Sequence, residues 1–166
     1  ESHDELGGTM LSGIPRYRLP DEMLRRDIAD VLAAGFEVEK NKRLGRDFSL
    51  QSLEQEGFGA VFLGIGCTNP APMPRNTEGS PLQGTELDNV RPGLDFLSDV
   101  KRDGEARLSG KVVVVGGGNV AIDVAMTARR QGAETVEIVC LESREEMPAH
   151  EWEIVDALEE GITLNP

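Results

Sequence analysis

Four consecutive valines run into three glycines at Lys111-Val-Val-Val-Val-Gly-Gly-Gly-Asn-Val-Ala-Ile-Asp-Val-Ala125, and this stretch constrains the fold more than any other. β-branched side chains suit a pleated strand, and an unbroken apolar run predicts a parallel strand covered on both faces. Gly116-Gly117-Gly118-Asn119-Val120-Ala121 then reads G-x-G-x-x-A, and Val120, Ala121, Val124, Ala125 and Ala128 recur at helical spacing. The expected order is strand, glycine turn, helix. In that order Gly116 permits the tight turn, Gly118 lets a pyrophosphate approach the backbone, and Ala121 lets the helix pack closely on the strand. The helix start, with Asn119 and Val120, offers amides and a positive dipole end to phosphates. A tight turn that binds nothing is the plainer alternative.

The unit continues as a dinucleotide-binding βαβ should. Gly132 predicts the end of the helix, and Val136-Glu-Ile-Val-Cys-Leu141 predicts a second strand. Glu142 follows Gly116 by 26 residues, where an acid reads the hydroxyls of an adenosine ribose. A carboxylate there attracts a free 2′-hydroxyl and repels a 2′-phosphate, which favours NAD(H) over NADP(H). Arg144 pulls the other way, because it could reach a 2′-phosphate. A solvated strand end is the plainer alternative for Glu142. The fold class expected is α/β, a Rossmann-like doubly wound parallel sheet in three layers, of the FAD/NAD(P)-binding type and truncated at both ends.

With 166 residues the chain is long enough for one ordinary domain or two small halves. A net charge of −13 repels nucleic acid and anionic lipid, so neither is an expected partner. The two cysteines, Cys67 and Cys140, form no Cys-x-x-Cys pair, so no metal site is read. Cys140 reads as a small core residue. No apolar run approaches a bilayer span and no signal peptide is visible, which makes the cytoplasm the expected compartment. Neither His3 nor His150 pairs with a nucleophile, and no catalytic acid or base is assigned. The chain starts at Glu1 without a methionine and stops at Pro166 within an expected third strand, so it reads as an excised piece.

Along the chain, the prolines and glycines of residues 1–20 predict a loop. A helix follows from Asp21, with Met23, Leu24, Ile28, Val31 and Leu32 as its apolar stripe and Gly35 as its end. Phe36–Glu39 reads as a short strand, Ser49 caps a short helix, and Ala60-Val-Phe-Leu-Gly-Ile-Gly66 reads as a buried strand. Residues 68–92 read as a connecting loop and Gly93–Val100 as a helix. Glu151–Glu160 is a further helix with Trp152, Val155 and Leu158 on its buried face. Glu145-Glu146 and Glu159-Glu160 read as exposed.

Gly7-Gly8, Gly13-Ile-Pro-Arg-Tyr-Arg-Leu-Pro20, Ala60–Gly66, Val112–Asp123 and Ser143-Arg-Glu-Glu-Met-Pro-Ala149 together resemble the small (beta) subunit of glutamate synthase. Related flavoproteins share the pattern: the flavin and nicotinamide part of dihydropyrimidine dehydrogenase, and the ferredoxin:NADP transhydrogenases. The resemblance covers nearly the whole chain and implies an FAD domain interrupted by a nicotinamide domain, here 1–90 (partial FAD-binding domain and connector) and 91–166 (NAD(P)-binding unit). It implies that Glu1 holds the FAD ribose, that Gly7, Gly8 and Leu11 line the flavin pyrophosphate, that Arg18 contacts FAD, and that Gly66 belongs to the turn returning beside the flavin. It also implies electron transfer onward to iron–sulfur centres on a partner domain or large subunit. Where the family carries arginines for the NADP 2′-phosphate, this chain has Leu141 and Glu142; Arg144 does match the family's arginine.

Two functions follow as expectations. One is the nicotinamide module of a flavin-dependent oxidoreductase, in which Asn119 and Asp123 stand near the phosphates or nicotinamide. For Asp123, a charge interaction with the helix start is the plainer alternative. The other is a nucleotide-binding regulatory or scaffold domain without redox turnover.

Overall fold

Prolines and glycines break the first sixty-odd residues into short pieces, while the valine-rich centre builds a continuous layer. The structure is a computed structural model that describes residues 1–67, 78–104 and 107–166. These divide into two compact units, Glu1–Leu11 with Leu19–Thr68, and Ser12–Arg18 with Asn69–Pro166.

The first unit is helical and thinly packed. Gly8–Ser12 is a single turn, α1, which corrects the expectation of a loop throughout residues 1–20. Pro15 and Pro20 fall beyond it, and Gly7, at φ 129°, turns the chain into it. A Cβ on Gly7 would lie 2.9 Å from the Cβ of Leu11, so no larger residue fits that turn. Helix α2 spans Asp21–Leu32 with Asp21 and Glu22 in its first turn, where acids complement the dipole. Of its expected stripe only Leu24 is buried; Met23 and Val31 are exposed. Helix α3 spans Leu50–Gln55, and Ser49 caps it as expected, its Oγ accepting from the Ser52 N–H at 3.0 Å. The expected strands at 36–39 and 60–66 do not form, and Phe62 is 95 % exposed. A strand needs a partner edge for its N–H and C=O groups, and this unit has none among the described residues.

The second unit holds the core. Its elements run α4 (Gly93–Asp103), β1 (Lys111–Val115), α5 (Asn119–Arg130), β2 (Thr135–Val139), α6 (Glu151–Glu159) and β3 (Thr163–Asn165). The strands are parallel in the order β1-β2-β3, with Val114 opposite Ile138 and Ile138 opposite Leu164. Parallel neighbours need crossover connections, and α5 and α6 supply them. Residues 78–92 carry turns and no helix or strand, and 68–77 of the expected loop lie outside the described residues.

Val114, Val136 and Ile138 face α5, whose Ala121, Ile122, Ala125 and Ala128 are buried against them together with Phe96, Leu97 and Val100 of α4. Each fully buried isoleucine, such as Ile138, stabilises by about 1.5–3 kcal/mol of transfer free energy. The opposite face of β1 is open, with Val113 51 % and Val115 60 % exposed, so the expected double covering of this strand is not met among the described residues. Strand β2 ends at Val139, short of the expected Leu141. Cys140 packs against the core, as expected of it, whereas Leu141 is fully exposed. The face of α6 is also corrected: Trp152, Val155 and Leu158 are exposed, and Glu153, Ile154 and Ala157 are buried instead.

Candidate functional site

The chain leaves β1 at Val115, and Gly116 takes φ 134°, a conformation that side chains resist. Its N–H donates to the Val139 carbonyl at 2.9 Å, tying the turn to the end of β2. A Cβ on Gly117 would lie 3.2 Å from the Cβ of Cys140 and 3.2 Å from Oε2 of Glu142, so a side chain there would crowd the strand end. That role was not read from the sequence, since the middle position of the motif is nominally free. A Cβ on Gly118 would meet only Pro148 Cγ at 4.0 Å, which leaves its outer side open. Ala121 is buried, with its Cβ 3.7 Å from where a Gly116 Cβ would stand. Helix α5 starts at Asn119 with no side chain capping it. Val120 is half exposed on the first turn.

A second segment folds over this turn. Glu142 brings its carboxylate to Gly117, and the Ala149 N–H donates to the Gly117 carbonyl at 3.1 Å. The His150 N–H donates to Oδ1 of Asn119 at 3.0 Å, joining the start of α5 to the N-cap of α6. Met147 and Ala149 bury themselves beneath. Arg144 makes a bidentate pair with Glu151, Nη1 to Oε2 at 2.9 Å and Nη2 to Oε1 at 2.7 Å. The Glu151 carboxyl is held below its usual range by that hydrogen bond.

Arg18 lies in the second unit. Its Nε donates to Oδ1 of Asp123, and its Nη1 pairs with Oε1 of Glu153 at 2.8 Å. The Tyr17 hydroxyl donates to the same Asp123 oxygen at 2.9 Å. The rings of Tyr17 and Trp152 lie 5.5 Å and 5.3 Å from the guanidinium carbon, within cation–π range. Burial, and then the Asp123 carboxylate, push the Tyr17 hydroxyl pKa well up. Burial is the largest single influence on Arg18 and opposes its charge, but the Asp123 hydrogen bond and the surrounding negative charge of Asp123 and Glu153 together raise its pKa. This cluster was not read from the sequence. The available signal was Asp123 standing four residues after Asn119, on the same helix face.

In the first unit, Glu1 Oε1 accepts from the His3 N–H at 3.0 Å, and Gly7, Gly8 and Leu11 form the turn into α1. Gly66 stands at φ 71° in the exposed segment after Ala60. Arg18, which the resemblance places against the flavin, is paired with Asp123 and Glu153 in the second unit. The residues around Gly116–Ala121 do fit a dinucleotide: a glycine with an open side, an uncapped helix start and an adjacent acid. Among the described residues there is no group of three or more His, Cys, Asp or Glu able to hold a metal. No helix among them is long and apolar enough to cross a membrane.

Comparison with known proteins agrees with the fold. Residues 20–165 match the family model of the pyridine nucleotide-disulphide oxidoreductases. The NADPH-Fe(3+) oxidoreductase subunit beta of Geobacter sulfurreducens is 40 % identical over 156 residues, 94 % of this chain and 22 % of that protein. The glutamate synthase (NADPH) small chain of Escherichia coli is 34 % identical over 173 residues, 98 % of this chain and 35 % of that one, so the resemblance read from the motifs holds. This chain therefore spans about a fifth to a third of those relatives' lengths. FprA of Mycobacterium tuberculosis, solved in complex with NADPH, superposes with a TM-score of 0.75 at 18 % identity, over 96 % of this chain and 39 % of that one, which shows the fold. A family match running from the start of α2 into β3, over a parallel βαβ sheet with a G-x-G-x-x-A turn, makes this chain a member of the pyridine nucleotide-disulphide oxidoreductase family.

Proposed function

We propose that this chain is the nicotinamide-nucleotide-binding module of a flavin-dependent oxidoreductase like the glutamate synthase small subunit, with 91–166 as the NAD(P) unit and 1–90 as part of an FAD-binding domain and its connector. The observation that carries the reading is the uncapped start of α5 behind a glycine turn whose outer side is open at Gly118. Amides at Gly118, Asn119 and Val120 would hold the pyrophosphate, and Glu142, already at Gly117, would accept from the ribose hydroxyls. Its negative charge favours NADH over NADPH. When bound, NAD(P)H and FAD supply the hydride chemistry, with electrons leaving through iron–sulfur centres to a partner subunit. The chain's own part is placement and orientation. The setting proposed is the cytoplasm.

One observation favours a second reading, a nucleotide-binding regulatory or scaffold domain without redox turnover. Arg18, the residue expected to touch the flavin, is engaged by Asp123 and Glu153. Calorimetric titration of the chain with NADH and NADPH tests the proposal. Tighter binding of NADH, reversed in Glu142→Arg, is the expected result. Equal binding of both that ignores the substitution removes the ribose assignment, and binding of neither removes the nucleotide site.

A further inference from the structure

We propose that Glu151 biases the choice between the two nicotinamide nucleotides by occupying Arg144, the cation that a 2′-phosphate would otherwise take; the inference rests on the dinucleotide reading above. A dinucleotide laid along Gly116–Ala121 ends its adenosine at the tip of β2, where an acid serves a 2′-hydroxyl and an arginine serves a 2′-phosphate. This chain places both there. Glu142 stands over Gly117, and Arg144 follows two residues later. The arginine is not waiting for a ligand: both of its terminal nitrogens are bonded to the Glu151 carboxylate, at 2.9 and 2.7 Å. Glu151 is the first residue of α6, so the positive end of that helix holds the carboxylate in place as well.

A 2′-phosphate would have to displace Glu151 and then sit among two carboxylates, Glu142 and Glu151, with Glu145 also near Arg144. A 2′-hydroxyl displaces nothing. The Glu151 side chain is 72 % exposed, so the pair is weak and the exclusion is a bias, not a block. The same exposure means that Glu151→Gln leaves the fold intact.

The experiment is calorimetric titration of NADH and NADPH into the wild-type chain, Glu151→Gln, Arg144→Ala and the double variant. Glu151→Gln is expected to tighten NADPH by about two- to fivefold, the factor an exposed ion pair can withhold, and to leave NADH unchanged. Arg144→Ala in the same chain is expected to abolish that gain. The inference is overturned if Glu151→Gln alters both nucleotides alike, alters neither, or keeps its gain without Arg144. If no protein in the set binds either nucleotide, the dinucleotide reading falls and this inference falls with it. If both bind and their ratio ignores Glu151, only this inference falls.

Discussion

Replacing Arg18 with methionine removes the cation between Asp123 and Glu153 but keeps the unbranched stem up to the level of Nε. The side chains of Arg18, Asp123 and Glu153 are 17 %, 15 % and 7 % exposed, so the variant leaves two carboxylates largely out of water with no positive partner. Breaking a buried pair in this way costs about 3–5 kcal/mol. The residual exposure of Arg18 and Asp123 places the expected loss near the lower end, at about 3 kcal/mol. For a chain of this size that is a fall in melting temperature of roughly 6–12 °C. Urea unfolding followed by circular dichroism measures it. Arg18→Met/Glu153→Gln should recover about 1–2 kcal/mol, because one of the two stranded charges is then gone. A single variant within about 0.5 kcal/mol of wild type, or a double variant with no recovery, would refute the claim that Arg18 is held by these carboxylates.

Two further outcomes are expected. The Glu151 carboxyl, followed by NMR, should titrate below the ordinary glutamate range in the wild type and return to it in Arg144→Ala. A depressed carboxyl pKa means that the pair's contribution is complete at neutral pH and fades as pH falls through the lowered value; an unchanged Glu151 titration in the variant would contradict the pairing. Asn119→Ala should speed hydrogen exchange of the His150 amide about fivefold or more, through loss of one hydrogen bond. Equal exchange rates would show that Asn119 does not anchor the segment.

What could be read from the sequence was what is decided locally. The run from Lys111 to Ala125 became strand, turn and helix because its valines, glycines and alanines each favour their own element. Ser49 predicted its cap for the same reason: the partner lies three residues away. The failures are non-local. Ala60–Gly66 has the composition of a buried strand, but a strand forms only against another edge, and composition does not say whether one is there. The spacing of Trp152, Val155 and Leu158 does not select the buried face of α6, which carries Glu153, Ile154 and Ala157. Glu153 is buried against Arg18, far away in the chain, while Trp152 stays exposed beside the same guanidinium. Within the candidate site, the glycine turn was legible as strand, turn and helix start. The folding of residues 142–151 over the turn was not, because it depends on where Asn119 and Gly117 end up in space.

In the proposed function, the turn from Gly116 to Ala121 holds the two phosphates of a nicotinamide dinucleotide. Backbone amide shifts of the isotope-labelled chain, recorded while NADH is added, test it most directly. The largest saturable shifts are expected at Gly116, Gly117, Gly118, Asn119 and Val120, with a smaller set at Glu142. A chain that binds NADH while those amides stay still, or one whose spectrum does not change at all, would contradict it.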